Sequence, residues 1–274
     1  MGFSAMVITA SQWGAKAPKG GPFELTSPRY VVIHHTASQN PPNDASRHTK
    51  DGAMAYARAI QNDHFARGWA DSGHNFLNTT GGYLLEGRSG TVDAVRQGRC
   101  VRSAHAAQDP GRLPNGNESP GIENEGNFMA FQMAATQWTS LVTLCSALCS
   151  ALSLQPSNIR GHREFSSTAC PGDWLFGQLP RLRQETAIAM GQALTRSEAL
   201  ASVKNAPIRI GQYGPDVMAV QRMLLGSGFS PGAIDGIFGE NTRAAVLAFQ
   251  TAHGLRRSAY VDTKTRSALG LLKR

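Results

Sequence analysis

The chain has 274 residues, 41% of them hydrophobic and 17% charged. That balance fits an ordinary soluble globular protein with room for a medium and a small domain. The longest uncharged apolar run, near residues 141–154, is broken by Ser, Thr and Cys and is too short to span a membrane.

Net charge is +8 and is uneven. Residues 1–190 carry 16 Lys/Arg against 14 Asp/Glu, whereas residues 191–274 carry 11 against 5. A basic tail suits a polyanionic partner: nucleic acid, anionic lipid or cell wall polymer. The first ten residues lack a basic n-region and a long apolar core, so no Sec-type leader is expected. Activity outside the cytoplasm would then require release by another route.

In chain order, residues 29–35 (Arg-Tyr-Val-Val-Ile-His-His) form a continuous β-branched and aromatic run, the pattern of a buried strand. Residues 53–67 read as a helix ending at Gly68. Two short apolar segments, 75–78 and 83–86, flank Thr79-Thr80-Gly81-Gly82 and predict a hairpin. Glu86 and Arg88 are expected to support that hairpin. Residues 121–125 predict another short strand. Residues 131–152 are apolar at helical spacing, with Pro156 after their end. Cys145 and Cys149 share the apolar face of that helix and are expected in the core. Residues 159–162 resume an extended segment. Strands interleaved with helices indicate an α/β layer architecture.

A helix from Pro180 trails into a polar, Ala-rich connector near residue 201. Beyond it, Val217, Val220, Gln221 and Leu224 fall on one helical face, as do Ala245, Val246 and Phe249. Gly-containing turns precede each, at 211–216 and 235–240, and a third short helix follows Asp262. The expected organisation is a domain at 1–184, a connector at 185–206 and a small all-α three-helix domain at 207–274.

The most informative segment runs from Gly161 to Gly172 and places His162 and Cys170 eight residues apart across a loop. Imidazole and thiolate are good zinc ligands, and a catalytic zinc site takes three protein ligands and leaves a position open. The third ligand would be His34 or His35. These neighbours on a strand point to opposite faces, so only one can join the site.

Five stretches in order resemble the amidase-2 family, which includes phage T7-type lysozyme amidases and the peptidoglycan recognition proteins. They are Gln12-Trp-Gly-Ala15, then Tyr30 through Ala37, then Gly68 through Leu77 with Gly82 through Arg88. Ser103-Ala-His-Ala106 leading to Gly121-Ile-Glu123 follows, and Gly161-His-Arg-Glu164 through Ala169-Cys-Pro-Gly172 is last. The resemblance covers roughly residues 8–180. It implies a mixed central β-sheet flanked by helices and a Zn2+ ion on His34, His162 and Cys170. It implies hydrolysis of the amide joining N-acetylmuramic acid to L-alanine. Glu123 aligns with a glutamate that serves as general acid–base, and Thr168 with a Thr or Lys that stabilises the oxyanion. His74 stands where many relatives have Tyr, a departure that leaves a hydrogen-bonding or proton-carrying role for it. His105 is expected to line the substrate groove. His35, His48 and His64 are expected to be structural or surface residues.

Residues 207–272 resemble the type 1 peptidoglycan-binding domain through Gly214-Pro-Asp-Val217, Asp235-Gly-Ile-Phe-Gly239 and the apolar positions above. The resemblance implies a wall-lysing endolysin or autolysin, with non-catalytic peptidoglycan recognition as the alternative. The expected partner is bacterial peptidoglycan. Nucleic acid and membrane contact are not expected, and a monomer is.

Overall fold

The computed structural model describes residues 3–38, 48–191, 207–212, 215–232, 234 and 237–271. The chain forms two compact units, divided after residue 193. Most of the expected connector and the glycine turns at Gly214 and Asp235-Gly236 lie outside the described residues.

Among the described residues, the first unit holds eight short strands. They are β1 (Val7–Ile8), β2 (Leu25–Thr26), β3 (Val31–His35), β4 (Phe76–Asn78), β5 (Leu84–Glu86), β6 (Cys100–Val101), β7 (Gly121–Asn124) and β8 (Ile159–Gly161). Six of them form one sheet in the order β1-β5-β4-β7-β3-β8, while β2 and β6 pair separately. The sheet is mixed: β5 and β4 form the antiparallel hairpin, and β4, β7, β3 and β8 run parallel. β3 lies inside the sheet and is buried along its whole length, as a parallel strand covered on both faces must be.

The helix Lys50–Ala66 starts at Thr49, whose side chain accepts from the Gly52 N–H at 3.0 Å. That cap extends the expected helix by one turn at its start. Its buried face carries Ala53, Ala57, Gln61 and His64. The second long helix is Ala135–Ala151. It begins later than its apolar pattern suggests, because Ala134 is extended and Phe131 is exposed. Backbone bonds from Trp174 to the carbonyls of Phe128 and Met129 tie the preceding segment elsewhere. Cys145 and Cys149 are fully buried in this helix and unpaired.

Glu86 joins three elements. Its carboxylate accepts from the backbone N–H of Ala10 at 2.8 Å and of Val92 at 2.9 Å. Its carbonyl accepts from the Trp13 indole at 2.7 Å. The hairpin-supporting role expected of Glu86 is thus performed by satisfying two helix N-termini.

The second unit contains the helices Pro215–Gly226, Glu240–Ala252 and Thr263–Ala268. Val217, Val220, Leu224, Phe238, Val246, Phe249 and Val261 form its core. Two buried glutamines close it. The Gln221 amide donates to the Ile237 carbonyl at 3.0 Å, and the Gln250 amide to the Tyr260 carbonyl at 2.8 Å. Among the described residues no helix is long and apolar enough to cross a membrane.

Replacing Glu86 by Ala strands two buried backbone donors, each worth about 1–3 kcal/mol. Thermal or denaturant unfolding of Glu86→Ala is expected to show a loss of about 2–4 kcal/mol. A change below the error of the measurement would refute the bracing role.

Candidate metal centre

The parallel register assembles the site. His34 of β3 pairs directly with Glu123 of β7, and Ile33 pairs with Gly161, the residue before His162. Two imidazoles and a carboxylate, from His34, His162 and Glu123, therefore emerge at the carboxyl ends of three adjacent strands. Ligand sites of open α/β sheets occur at that edge.

His34, His162 and Cys170 each direct one donor atom inward, and the three donors lie within 4.8 Å of one another. The His34 Nδ1 is 3.6 Å from the Cys170 Sγ. A tetrahedral centre with Zn–N and Zn–S bonds of ordinary length separates N from S by about 3.6 Å. His35, the alternative donor, faces away. Its Nδ1 accepts from the Phe128 N–H at 3.1 Å, and its backbone N–H donates to the Cys170 Sγ at 3.5 Å.

The tautomer of His34 follows from its neighbours. The His105 Nε2 is 3.0 Å from the Ser119 carbonyl, which can only accept, so Nε2 carries the proton. His105 Nδ1 is then an acceptor and takes the Nε2–H of His34 at 3.0 Å. That leaves the lone pair of His34 on Nδ1, toward Cys170. Expected at the substrate groove, His105 borders the cleft but spends both ring nitrogens on this relay and has none left for a ligand. Gly121 makes the relay possible: a Cβ there would lie 2.5 Å from the His105 Nε2.

Burial keeps the imidazoles neutral, the form that ligates. It pushes His34 well below its usual value, and the neighbouring His74, His105 and His162 add to the effect. His162 is lowered to about 4, again mainly by burial. Burial also pushes the Cys170 thiol up to about 12. A buried cysteine of this kind becomes a thiolate when a cation compensates its charge. The donor set of two neutral imidazoles and one thiol, with correct spacing and tautomer, fits a divalent metal.

Beside the three donors stand Glu123 and His74. The His74 Nδ1 is 2.7 Å from the Glu123 Oε2, and both side chains are nearly buried. Burial is the largest influence on the Glu123 carboxyl and would raise it, but His74, joined by His64 and Arg67, holds the group below its usual value. Glu123 pairs with neither Arg160 nor Arg163, which bind Glu164 and Asp173. Thr168 lies on the rim, where its hydroxyl accepts from the Cys170 N–H at 3.2 Å.

These residues open into one cleft of about 460 Å³. Its opposite wall is the helix Lys50–Ala66, which contributes Tyr56, Ile60 and His64 at four-residue spacing, with Trp69 beyond its end. The sequence reading missed this wall. The spacing of Tyr56, Ile60 and His64 marks one helical face, but nothing local says that the face borders a cleft.

Residues 24–173, more than half of the chain, match the family profile described as N-acetylmuramoyl-L-alanine amidase. Residues 213–269 match that of a putative peptidoglycan binding domain. The peptidoglycan-recognition protein SC2 of Drosophila simulans is 31% identical over 176 residues, 63% of this chain and 84% of its own length. A human N-acetylmuramoyl-L-alanine amidase is 32% identical over 61% of this chain, although the match spans 27% of that protein. Among solved structures, wild-type Drosophila PGRP-LB superposes with a TM-score of 0.50 at 26% identity, covering 63% of this chain and 91% of that one. A PGRP-LB variant in complex with tracheal cytotoxin gives 0.51 at 26% identity, covering 64% and 93%. The chain belongs to the N-acetylmuramoyl-L-alanine amidase family and carries a C-terminal match to a peptidoglycan-binding domain.

Proposed function

We propose that this protein is a zinc-dependent peptidoglycan amidase that cleaves the bond between N-acetylmuramic acid and L-alanine and thereby lyses cell walls. One observation carries the reading: a two-imidazole, one-thiol donor set lies beside a buried glutamate in the same cleft. The human amidase relative and the complex of PGRP-LB with tracheal cytotoxin support the choice of substrate class.

His34, His162 and Cys170 hold the ion. When bound, zinc polarises a carbonyl and lowers the pKa of a water toward ~7. The protein supplies the remaining chemistry. Glu123, ionised, accepts a proton at Oε and later returns it to the leaving amine of L-alanine. His74 fixes the carboxylate through its Nδ1. Thr168 has its oxygen occupied by the Cys170 N–H, so its O–H is free to donate to the oxygen that gains charge. One side of the cleft is lined by the aromatic rings of Tyr56 and Trp69 and by Ile60, which give the substrate an apolar surface beside the reacting groups.

Recognition without cleavage is the second reading, because many relatives are named recognition proteins. The presence of Cys170 together with the Glu123–His74 pair favours hydrolysis.

Mass analysis of digested peptidoglycan is expected to find stem peptides with a free L-alanine amine. New reducing sugar ends would overturn the amidase reading. Cys170→Ser is expected to lose bound zinc and at least about a hundredfold of the activity while keeping its circular dichroism spectrum. Unchanged lysis without zinc would refute the metal role.

Glu123→Gln is expected to retain zinc and lose about 10²–10⁴-fold in kcat on a soluble muropeptide. Loss of zinc in that variant would make Glu123 a structural residue.

We also propose that the basic C-terminal unit anchors the catalyst to the insoluble wall. Deleting residues 194–274 is expected to weaken binding to purified sacculi by about a hundredfold and to spare hydrolysis of soluble muropeptides. Equal sacculus binding by the truncated chain would exclude an anchoring role.

A further inference from the structure

His64 lies outside the three-donor set and at the end of the helix that walls the cleft. One of its ring nitrogens, one of His74 and a carboxylate oxygen of Glu123 lie within 4.8 Å of one another. By composition and spacing the trio could pass for a second metal site adjoining the first. Hydrogen bonding argues otherwise.

The backbone N–H of Gly73 donates to the His64 Nδ1 at 3.0 Å. An N–H can only donate, so Nδ1 must hold a lone pair. The neutral ring then carries its proton on Nε2, and Nε2 is the nitrogen left to face His74 and Glu123. A metal at Nε2 would require that proton to move to Nδ1, against the Gly73 N–H. The ring cannot turn to relieve the conflict. Trp69 stacks on its face with centroids 4.6 Å apart and planes at 25°. The Trp69 N–H in turn bonds the His64 carbonyl at 3.0 Å. Gly73 is required for this clamp, because a Cβ there would lie 2.1 Å from the Trp69 ring. His64 is 6% exposed, and burial holds it neutral with its value lowered to about 4.

We propose that His64, locked as its Nε2–H tautomer, is a positioning residue that presents a neutral donor to Glu123 and fixes the carboxylate beside His74, so that the trio is not a second metal site. This rests on the amidase reading above. A neutral donor has a specific advantage here: turned toward the carboxylate within the 4.8 Å that separates the trio, it orients Glu123 without adding positive charge beside the metal donors.

The experiment uses the zinc-loaded full chain. Asn and Gln each mimic one edge of the histidine. His64→Asn keeps an acceptor for the Gly73 N–H and removes the Nε2–H. His64→Gln places an amide N–H where Nε2–H stood and removes the acceptor. His64→Asn is expected to lower kcat on a soluble muropeptide about tenfold to a hundredfold with little change in KM. His64→Gln is expected to recover most of that loss. The reverse order, with Asn restoring activity and Gln failing, would overturn the proposal and leave His64 a purely structural acceptor.

Two measurements stand independently of turnover, and the first also of variant folding. Side-chain nitrogen NMR of the wild-type chain is expected to find the His64 proton on Nε2; finding it on Nδ1 would overturn the proposal. Zinc titration of Cys170→Ser is expected to leave no tightly bound ion. One equivalent held by that variant, and lost in the Cys170→Ser, His64→Asn double variant, would make the trio a metal site. Wild-type protein inactive on muropeptides but with the expected tautomer would defeat the amidase reading alone.

Discussion

The site depends on the register of three parallel strands. Opposite side chains alternate along a strand, so a slip of one residue between β3 and β7 would turn either His34 or Glu123 out of the cleft. The observed pairing sets His34 against Glu123 and Ile33 against Gly161. That alignment is enforced by burial. Val31, Val32, Ile33, Ile122 and Ile159 are all fully buried, and any shift would expose them on one face or crowd them on the other. The same apolar packing that holds the sheet together therefore fixes the distance between the candidate metal donors and the Glu123–His74 pair.

A second constraint is that this edge of the sheet is crowded with imidazoles. The rings of His34 and His162 are 4.4 Å apart, and those of His74 and His105 each lie 4.7 Å from His34. Such a cluster is tolerable only if most of its members stay neutral, because several imidazolium ions in so small a buried volume would repel strongly. Burial supplies neutrality for His34, His105 and His162. Neutral histidines must still be told which nitrogen carries the proton. The Ser119 carbonyl does this for His105, and His105 passes the instruction to His34. The Gly73 N–H does it for His64. The backbone thus writes the protonation pattern, and the side chains read it.

Much of this was legible in the sequence. The run at 29–35, the hairpin around Gly81-Gly82 and the two long helices follow from local periodicity and turn chemistry. The pairing of His162 with Cys170 follows from donor types across a short loop. Choosing His34 over His35 needed the family resemblance, since alternation says only that one of them faces the site. His105 was placed at the groove because the sequence cannot show that its two nitrogens are already engaged. His64 is expected from the sequence only as a structural or surface residue, since its neighbours, the Gly73 N–H nine residues later and Glu123, 59 residues away, are not marked by any local pattern. Long-range polar partners leave no periodic trace.

What the sequence did carry, and local pattern reading undervalued, is steric. Two glycines inside otherwise ordinary segments mark where a ring must approach the backbone. Gly121 begins β7, where a strand gains nothing from lacking a side chain. Its bare Cα admits the His105 ring to the Ser119 carbonyl and to His34. Gly73 does the same for the Trp69 ring and leaves its own N–H free to reach His64. Each glycine sits within two residues of a group at the site: Gly121 before Glu123, and Gly73 before His74. The Gly-Ile-Glu and Gly-His-Asn segments therefore encode a side chain of the cleft and the space its neighbours need. A side chain at either glycine would leave every metal donor in the sequence and still dismantle the hydrogen bonds that orient them.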